Sequence, residues 1–151
     1  MQAISVDSKT LIVKSNDEKE LSEIIRFINQ RKKQKNMAKL HEYSQLEDNW
    51  NLDGAKCFSK KLIDLTWEKI DELEIQPEVF PTMRESIQFE YEKENGDYLE
   101  FEIYEDKIEV FCILDKGEKE YMLTVSDDLN GIVNKFHGEK KEGTNNFYEI
   151  F

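Results

Sequence analysis

Asn49, Asn51, Asp53 and Gly54 stand at the first, third, fifth and sixth places of a calcium-loop pattern, a spacing that brings amide and carboxylate oxygens onto one cation. The second half of the pattern fails. The twelfth place, where a bidentate glutamate closes the metal shell, is Lys60, and the first place is an amide instead of a carboxylate. An ammonium group there repels a divalent ion. The stretch therefore reads as a structural turn between two helices. In it Asn49 and Asp53 satisfy backbone groups, Gly54 takes a positive φ, and Trp50 anchors its ring with the indole N–H on a carbonyl. The alternative chemistry is a small metal-dependent or hydrolytic enzyme built from Asp48, Asn51 and Asp53 with His41 or Cys57.

No other reactive pattern is present. Phosphate-cradling glycine loops, G-x-S-x-G, H-E-x-x-H, S-x-x-K and kinase-type sets are all missing from the sequence. Cys57 and Cys112 are far apart, form no C-x-x-C pair and have no histidine near them, so they read as buried free thiols. His41 and His137 are equally isolated. No catalytic residue, metal or cofactor is assigned.

Composition and charge narrow the classes further. At 151 residues with 38% hydrophobic and 11% aromatic content, the chain is expected to fold as one domain despite 36% charged residues. The N-terminus carries no targeting signal and no apolar run is long enough to span a bilayer, so a cytoplasmic protein without membrane contact is expected. A net charge of −12 argues against direct nucleic-acid binding, which needs clustered Lys and Arg. The charge is uneven. Arg26 to Lys39 holds six bases and no acid, whereas Glu85 to Asp128 holds fifteen acids and four lysines. Segment 31–39 is a second candidate contact surface, although such a run is more often simply solvated.

The elements that must position these residues follow from periodicity. Two short apolar runs, Ile4–Val6 and Leu11–Val13, read as a hairpin. Ser15 and Glu18 have capping-box spacing, and Leu21, Ile24, Ile25 and Ile28 recur at helical intervals, a stripe expected to face the core. With Leu40, Tyr43, Leu46 and Trp50 this gives helix over about 17–47, in one piece or two joined at the basic segment. Ser59 caps a second helix, about 60–74, whose stripe is Ile63, Trp67, Ile70 and Leu73, and Pro77 and Pro81 keep the following link extended. From Ile87 the period becomes 2. Four strands are expected, about 87–93, 98–104, 108–114 and 119–125, forming an antiparallel meander. A three-residue loop, Glu94–Gly96, pairs Phe89 with Phe101 and Glu90 with Glu100. A tight turn at Glu105–Asp106 pairs Ile103 with Ile108. A turn at Gly117–Glu118 pairs Leu114 with Tyr121 and Cys112 with Leu123. Ser126 caps a last short helix, 127–136, and residues 138–151 form a tail that frays or docks. The fold class is α+β, with the helices on one face of the sheet.

The segment Asn49-Trp50-x-x-x-Gly54-Ala55-Lys56-x-Phe58-Ser59, with Pro-Glu-Val-Phe-Pro-Thr at 77–82 and a meander beyond it, resembles a group of uncharacterised small bacterial and phage-borne proteins. They share an N-W-x-x-x-G-A-x-x-[FIV]-S core. The likeness covers roughly Leu40 to Leu114 and departs at Asn51, Leu52 and Cys57, where the group has Asp, Gly and Pro. It implies a shared fold and no activity.

The other face of the meander collects Gln88, Glu90, Glu92, Glu100, Glu102 and Glu109, with Tyr98, Ile113 and Met122 side by side and Phe111 next along. Opposed like charges cost folding about 0.2–1 kcal/mol per pair. The bland reading is a solvated face that maintains solubility. The sharper one is a binding surface for another protein with a basic, nucleic-acid-binding groove, in the manner of an inhibitor, antitoxin or anti-defence protein, with Glu90, Glu92, Tyr98, Glu100, Glu102, Glu109, Phe111 and Ile113 in contact. A structural subunit of a homo- or hetero-oligomer is a further alternative.

Overall fold

The computed structural model describes residues 4–6, 11–13, 18–115 and 117–138. The expected Ser15 cap and nearly all of the C-terminal tail lie outside them. The elements in order are β1 (Ile4–Val6), β2 (Leu11–Val13), α1 (Glu18–Ser44), α2 (Lys60–Glu72), β3 (Glu78–Pro81), β4 (Ile87–Glu92), β5 (Tyr98–Ile103), β6 (Ile108–Leu114), β7 (Gly117–Leu123) and α3 (Asn130–His137). The architecture is α+β: β3 to β7 form one antiparallel sheet in sequence order, and β1 and β2 pair only with each other.

The sheet's inner face is the core. Alternation, broken in β5 by the buried Glu102, buries Ile87, Phe89 and Tyr91 of β4, Leu99, Phe101 and Ile103 of β5, and Ile108, Val110, Cys112 and Leu114 of β6. Against them pack Leu40 of α1, Leu62, Ile63 and Ile70 of α2, and Val133 and Phe136 of α3. Removing this much aliphatic and aromatic surface from water, at about 25 cal/mol per Å², is the main stabilising term. Ser59 caps α2 as expected, its hydroxyl accepting from the Leu62 amide.

Most sheet registers agree with the alternation. Phe89 pairs Phe101, Glu90 pairs Glu100 and Ile103 pairs Ile108, and Gly96 is left-handed at φ 92° in its three-residue loop. Several expectations are corrected. The sheet has five strands, because Glu78–Pro81 is recruited as an edge strand opposite β4. Pro81 is tolerated there because an edge needs fewer ladder donors. The last hairpin turns two residues early, so β7 begins at Gly117 and Leu114 faces Gly117, Val110 faces Tyr121 and Ile108 faces Leu123. This slides the strand by four residues, which lengthens the pairing and leaves each side chain on its expected face.

The helices differ too. α1 is one continuous helix; Leu40 lies in the core and Tyr43, Leu46 and Trp50 pack against it as expected, whereas Leu21, Ile24, Ile25 and Ile28 do not join the core. In α2, Thr66 and Lys69 face inward while Trp67 is exposed. Ser126 does not cap α3, whose N-cap position is Leu129, with no side-chain bond. Cys57 is exposed, and Cys112 alone is the buried thiol. No helix among the described residues is long and apolar enough to cross a membrane.

Candidate functional site

The register places three rows of side chains on the face of the sheet away from the core. One row runs Glu92, Tyr98, Ile113, Glu118; the next Glu78, Glu90, Glu100, Phe111, Glu120; the third Phe80, Gln88, Glu102, Glu109, Met122. Strands about 4.8 Å apart, with same-face residues about 6.8 Å apart along each strand, therefore hold eight glutamates in one patch. Its apolar members stay accessible: Phe80, Ile113 and Met122 are 42%, 37% and 62% exposed. All eight residues expected at the contact share this face. Met122 is corrected: it sits opposite Glu109, beside neither Ile113 nor Tyr98. Glu78, Phe80, Glu118 and Glu120 join this face beyond the expected set, the first two because β3 pairs with β4 and the last two because β7 begins at Gly117.

Some of the charge is neutralised. Lys32 and Lys39 of α1 reach Glu78 at 3.0 and 3.8 Å, and Lys107 reaches Glu109 at 2.9 Å. Burial alone would raise Glu78, but Lys32, with Lys39 and Lys35 beyond it, holds its carboxyl below the usual range. Glu102 departs most from expectation. It is only 8% exposed, clamped by Arg84 Nε at 2.6 Å and by the Ser86 hydroxyl at 2.7 Å, so it is a buried structural carboxylate rather than a free contact. Glu90, Glu92, Glu100, Glu118 and Glu120 make no ion pair among the described residues.

At the centre, the Tyr98 hydroxyl lies against one oxygen each of Glu90 and Glu100, the latter at 2.7 Å, and Gln88 Nε2 donates to the same Glu100 oxygen at 2.6 Å. A phenol carries one proton and can donate to only one of the two carboxyls. The other contact is satisfied when a carboxyl is itself protonated. Partial burial, reinforced by Glu90 and Glu102, raises Glu100 above the usual carboxylate range, and burial together with the two acids raises Tyr98 as well. Tyr98 also meets Phe111 edge to face, with centroids 6.3 Å apart.

The turn at residues 48–57 is the other candidate, and its oxygens are occupied. Asn49 Oδ1 accepts from the Gly54 amide, Asn51 Oδ1 from Asp53 and Ala55, and Asp48 Oδ1 from Cys57, all at 2.8–3.0 Å. The Cys57 contact lowers Asp48 and raises the thiol. Trp50 Nε1 donates to the Lys56 carbonyl at 3.0 Å, and its ring packs on Phe58. Asn49, Leu52 and Gly54 take φ of 68°, 61° and 84°. No group of three or more His, Cys, Asp or Glu gathers as a metal site among the described residues. Two adjoining open hollows beside α2, of about 700 and 510 Å³, share Leu65, Glu68 and Val125, and neither is lined by histidine or cysteine.

Comparison with protein-family models, with curated proteins and with solved structures returns no match.

Proposed function

We propose that this chain is a non-catalytic, acidic protein-binding module, which works by covering a basic surface on another protein, of the kind that otherwise grips nucleic acid. The observation that carries the reading is the row Glu78, Glu90, Glu100, Phe111, Glu120, crossing all five strands on the sheet face away from the core. Direct like-charge neighbours weaken a fold by about 0.2–1 kcal/mol each, so stability does not account for them. A concentrated negative field does two things for association. It draws in a positive partner at long range, and it repels nucleic acid and acidic proteins. Phe80, Tyr98, Phe111, Ile113 and Met122 supply apolar surface among the charges, which is what gives a steered encounter a lifetime. The resemblance of Asn49–Ser59 to phage-borne proteins suits an inhibitor, antitoxin or anti-defence role.

Capture of partners from host lysate at low and high salt tests this. A basic partner is retained at low salt and shed at high salt, where the screening length drops from about 10 Å at 0.1 M to about 3 Å at 1 M. Replacing Glu90 and Glu100 by Lys abolishes capture, while replacing Glu68 and Glu72 on α2 by Lys, the same change in net charge elsewhere, leaves it intact. Equal losses in both variants would reduce the face to a general solubilising charge.

A further inference from the structure

Tyr98 and Glu100 are alternate residues of β5 and so share a side, Glu90 stands opposite Glu100 on β4, and the Tyr98 hydroxyl reaches diagonally across to Glu90. The phenol oxygen is thereby in contact with Glu90 Oε1 and, at 2.7 Å, with Glu100 Oε1. Two hydrogen bonds among these three oxygens need two hydrogens, and the phenol brings one. Gln88 does not supply the second, because its amide is committed to Glu100 Oε1 at 2.6 Å. No lysine or arginine pairs with either carboxyl among the described residues. The hydrogen still to be found is a carboxyl proton.

We infer that Glu90, Tyr98 and Glu100 are a proton-holding bridge: as pH falls, one proton from water is shared between the two carboxyls through the phenol, which switches the centre of the acidic face from two negative charges to one. Loaded, the bridge runs from carboxyl O–H to phenol oxygen and from phenol O–H to carboxylate, tying β4 to β5 where two acids otherwise repel. Empty, it has one hydrogen for two contacts, and one of them opens. The surroundings favour loading. Phe111, opposite Glu100, meets the Tyr98 ring edge to face and covers one side of it. The charged groups on this face are acids: Glu92 on β4, Glu102 on β5, Glu109 on β6, Glu118 and Glu120 on β7, and Glu78 on β3. The cations that reach them are engaged, Arg84 on Glu102, Lys107 on Glu109, and Lys32 and Lys39 on Glu78. The raised Glu100 carboxyl described above agrees with this balance. A basic partner favours the doubly charged form, so docking expels the proton and acidification releases the partner. That last step rests on the binding reading proposed above, whereas the bridge itself does not.

Carbon-13 NMR of the side-chain carboxyls and of the Tyr98 ring, followed on the full chain from about pH 8 to about pH 3, tests the bridge. Glu90 and Glu100 are expected to move together in two steps more than about one pH unit apart, because the proton belongs to the pair and to neither acid alone. The upper step lies above the ordinary 4.5, and the Tyr98 ring carbon bearing the hydroxyl shifts with it. Tyr98→Phe brings the two steps to within about one unit of each other, and Glu90→Gln leaves Glu100 a single step. Carboxyls that each titrate in one independent step overturn the inference. So does a two-step titration that survives Tyr98→Phe unchanged, which assigns the coupling to charge repulsion without a bridge. The measurement needs only the chain itself, so an empty capture from lysate would count against the binding reading and leave the bridge standing.

Discussion

Glu90 and Glu100 are direct cross-strand partners on the sheet face away from the core, with the Tyr98 hydroxyl set against both carboxyls and, among the described residues, no ion pair to either. The fold tolerates the two like charges while Tyr98 and Gln88 bond to them.

Glu100→Gln is therefore expected to stabilise the protein at neutral pH, by about 0.2–1 kcal/mol, read as a higher denaturant midpoint with an unchanged slope. The pH dependence has a fixed sign. Glu100 is raised in the folded state, so its charged form is disfavoured there relative to the unfolded chain, and the penalty is full above the folded value. As pH falls toward the ordinary value of 4.5 the penalty disappears, and the advantage of the variant shrinks with it.

Arg84→Met leaves the Glu102 carboxylate buried with the Ser86 and Tyr104 hydroxyls beside it and no cation to balance it, and costs about 1–3 kcal/mol. Adding Glu102→Gln restores part of the loss, because the uncompensated charge is gone. Urea unfolding of both single variants and the double variant measures the coupling, and additive losses would show that Arg84 does not hold this acid.

Leu52 is 88% exposed at φ 61°, so its side chain gains little from packing while its backbone sits in the left-handed region. Relief of about 1–2 kcal/mol there exceeds the roughly 0.5–1 kcal/mol of added chain entropy, so Leu52→Gly raises the melting temperature slightly. Gly54→Ala, at φ 84°, lowers it by the same reasoning. Differential scanning calorimetry separates the two signs.

His137 is packed against Tyr91 and Phe136 and lies in reach of Lys93, and burial holds its ring below the ordinary 6.5. Above pH 6.5 neither state is charged and the packing is fully favourable. As pH falls below 6.5 the unfolded chain takes up the proton first, and stability is lost. His137→Phe removes that decline, measured as the stability difference between about pH 7 and pH 5.

The sequence revealed the face better than its edges. Between Ile87 and Ile103 every second residue is large and apolar, so the period of 2 and the Gly96 loop together determine which glutamates share a side. The β6–β7 connection is open to two solutions that both preserve this alternation, and only the longer pairing, with Leu114 opposite Gly117, decides between them. Glu78–Pro81 is too short to show a period and is bounded by prolines; its strand exists because Val79 fits against Phe89. The charge on Glu102 could be read, but not its burial, since the Arg84 that clamps it approaches from a turn. On α1, Leu21 to Ile28 display a stripe clearly, yet periodicity does not specify what the stripe meets.

The turn between α1 and α2 has one more consequence. Its backbone amides are tied down by Asp48, Asn49 and Asn51, and the base of α1 is pinned by Asn36 and Tyr43 against residues 76–79. The C-terminal half of α1 is in effect cast in one piece with the sheet edge, so Lys32 and Lys39 are held at a fixed station over Glu78 and mark where the negative surface stops.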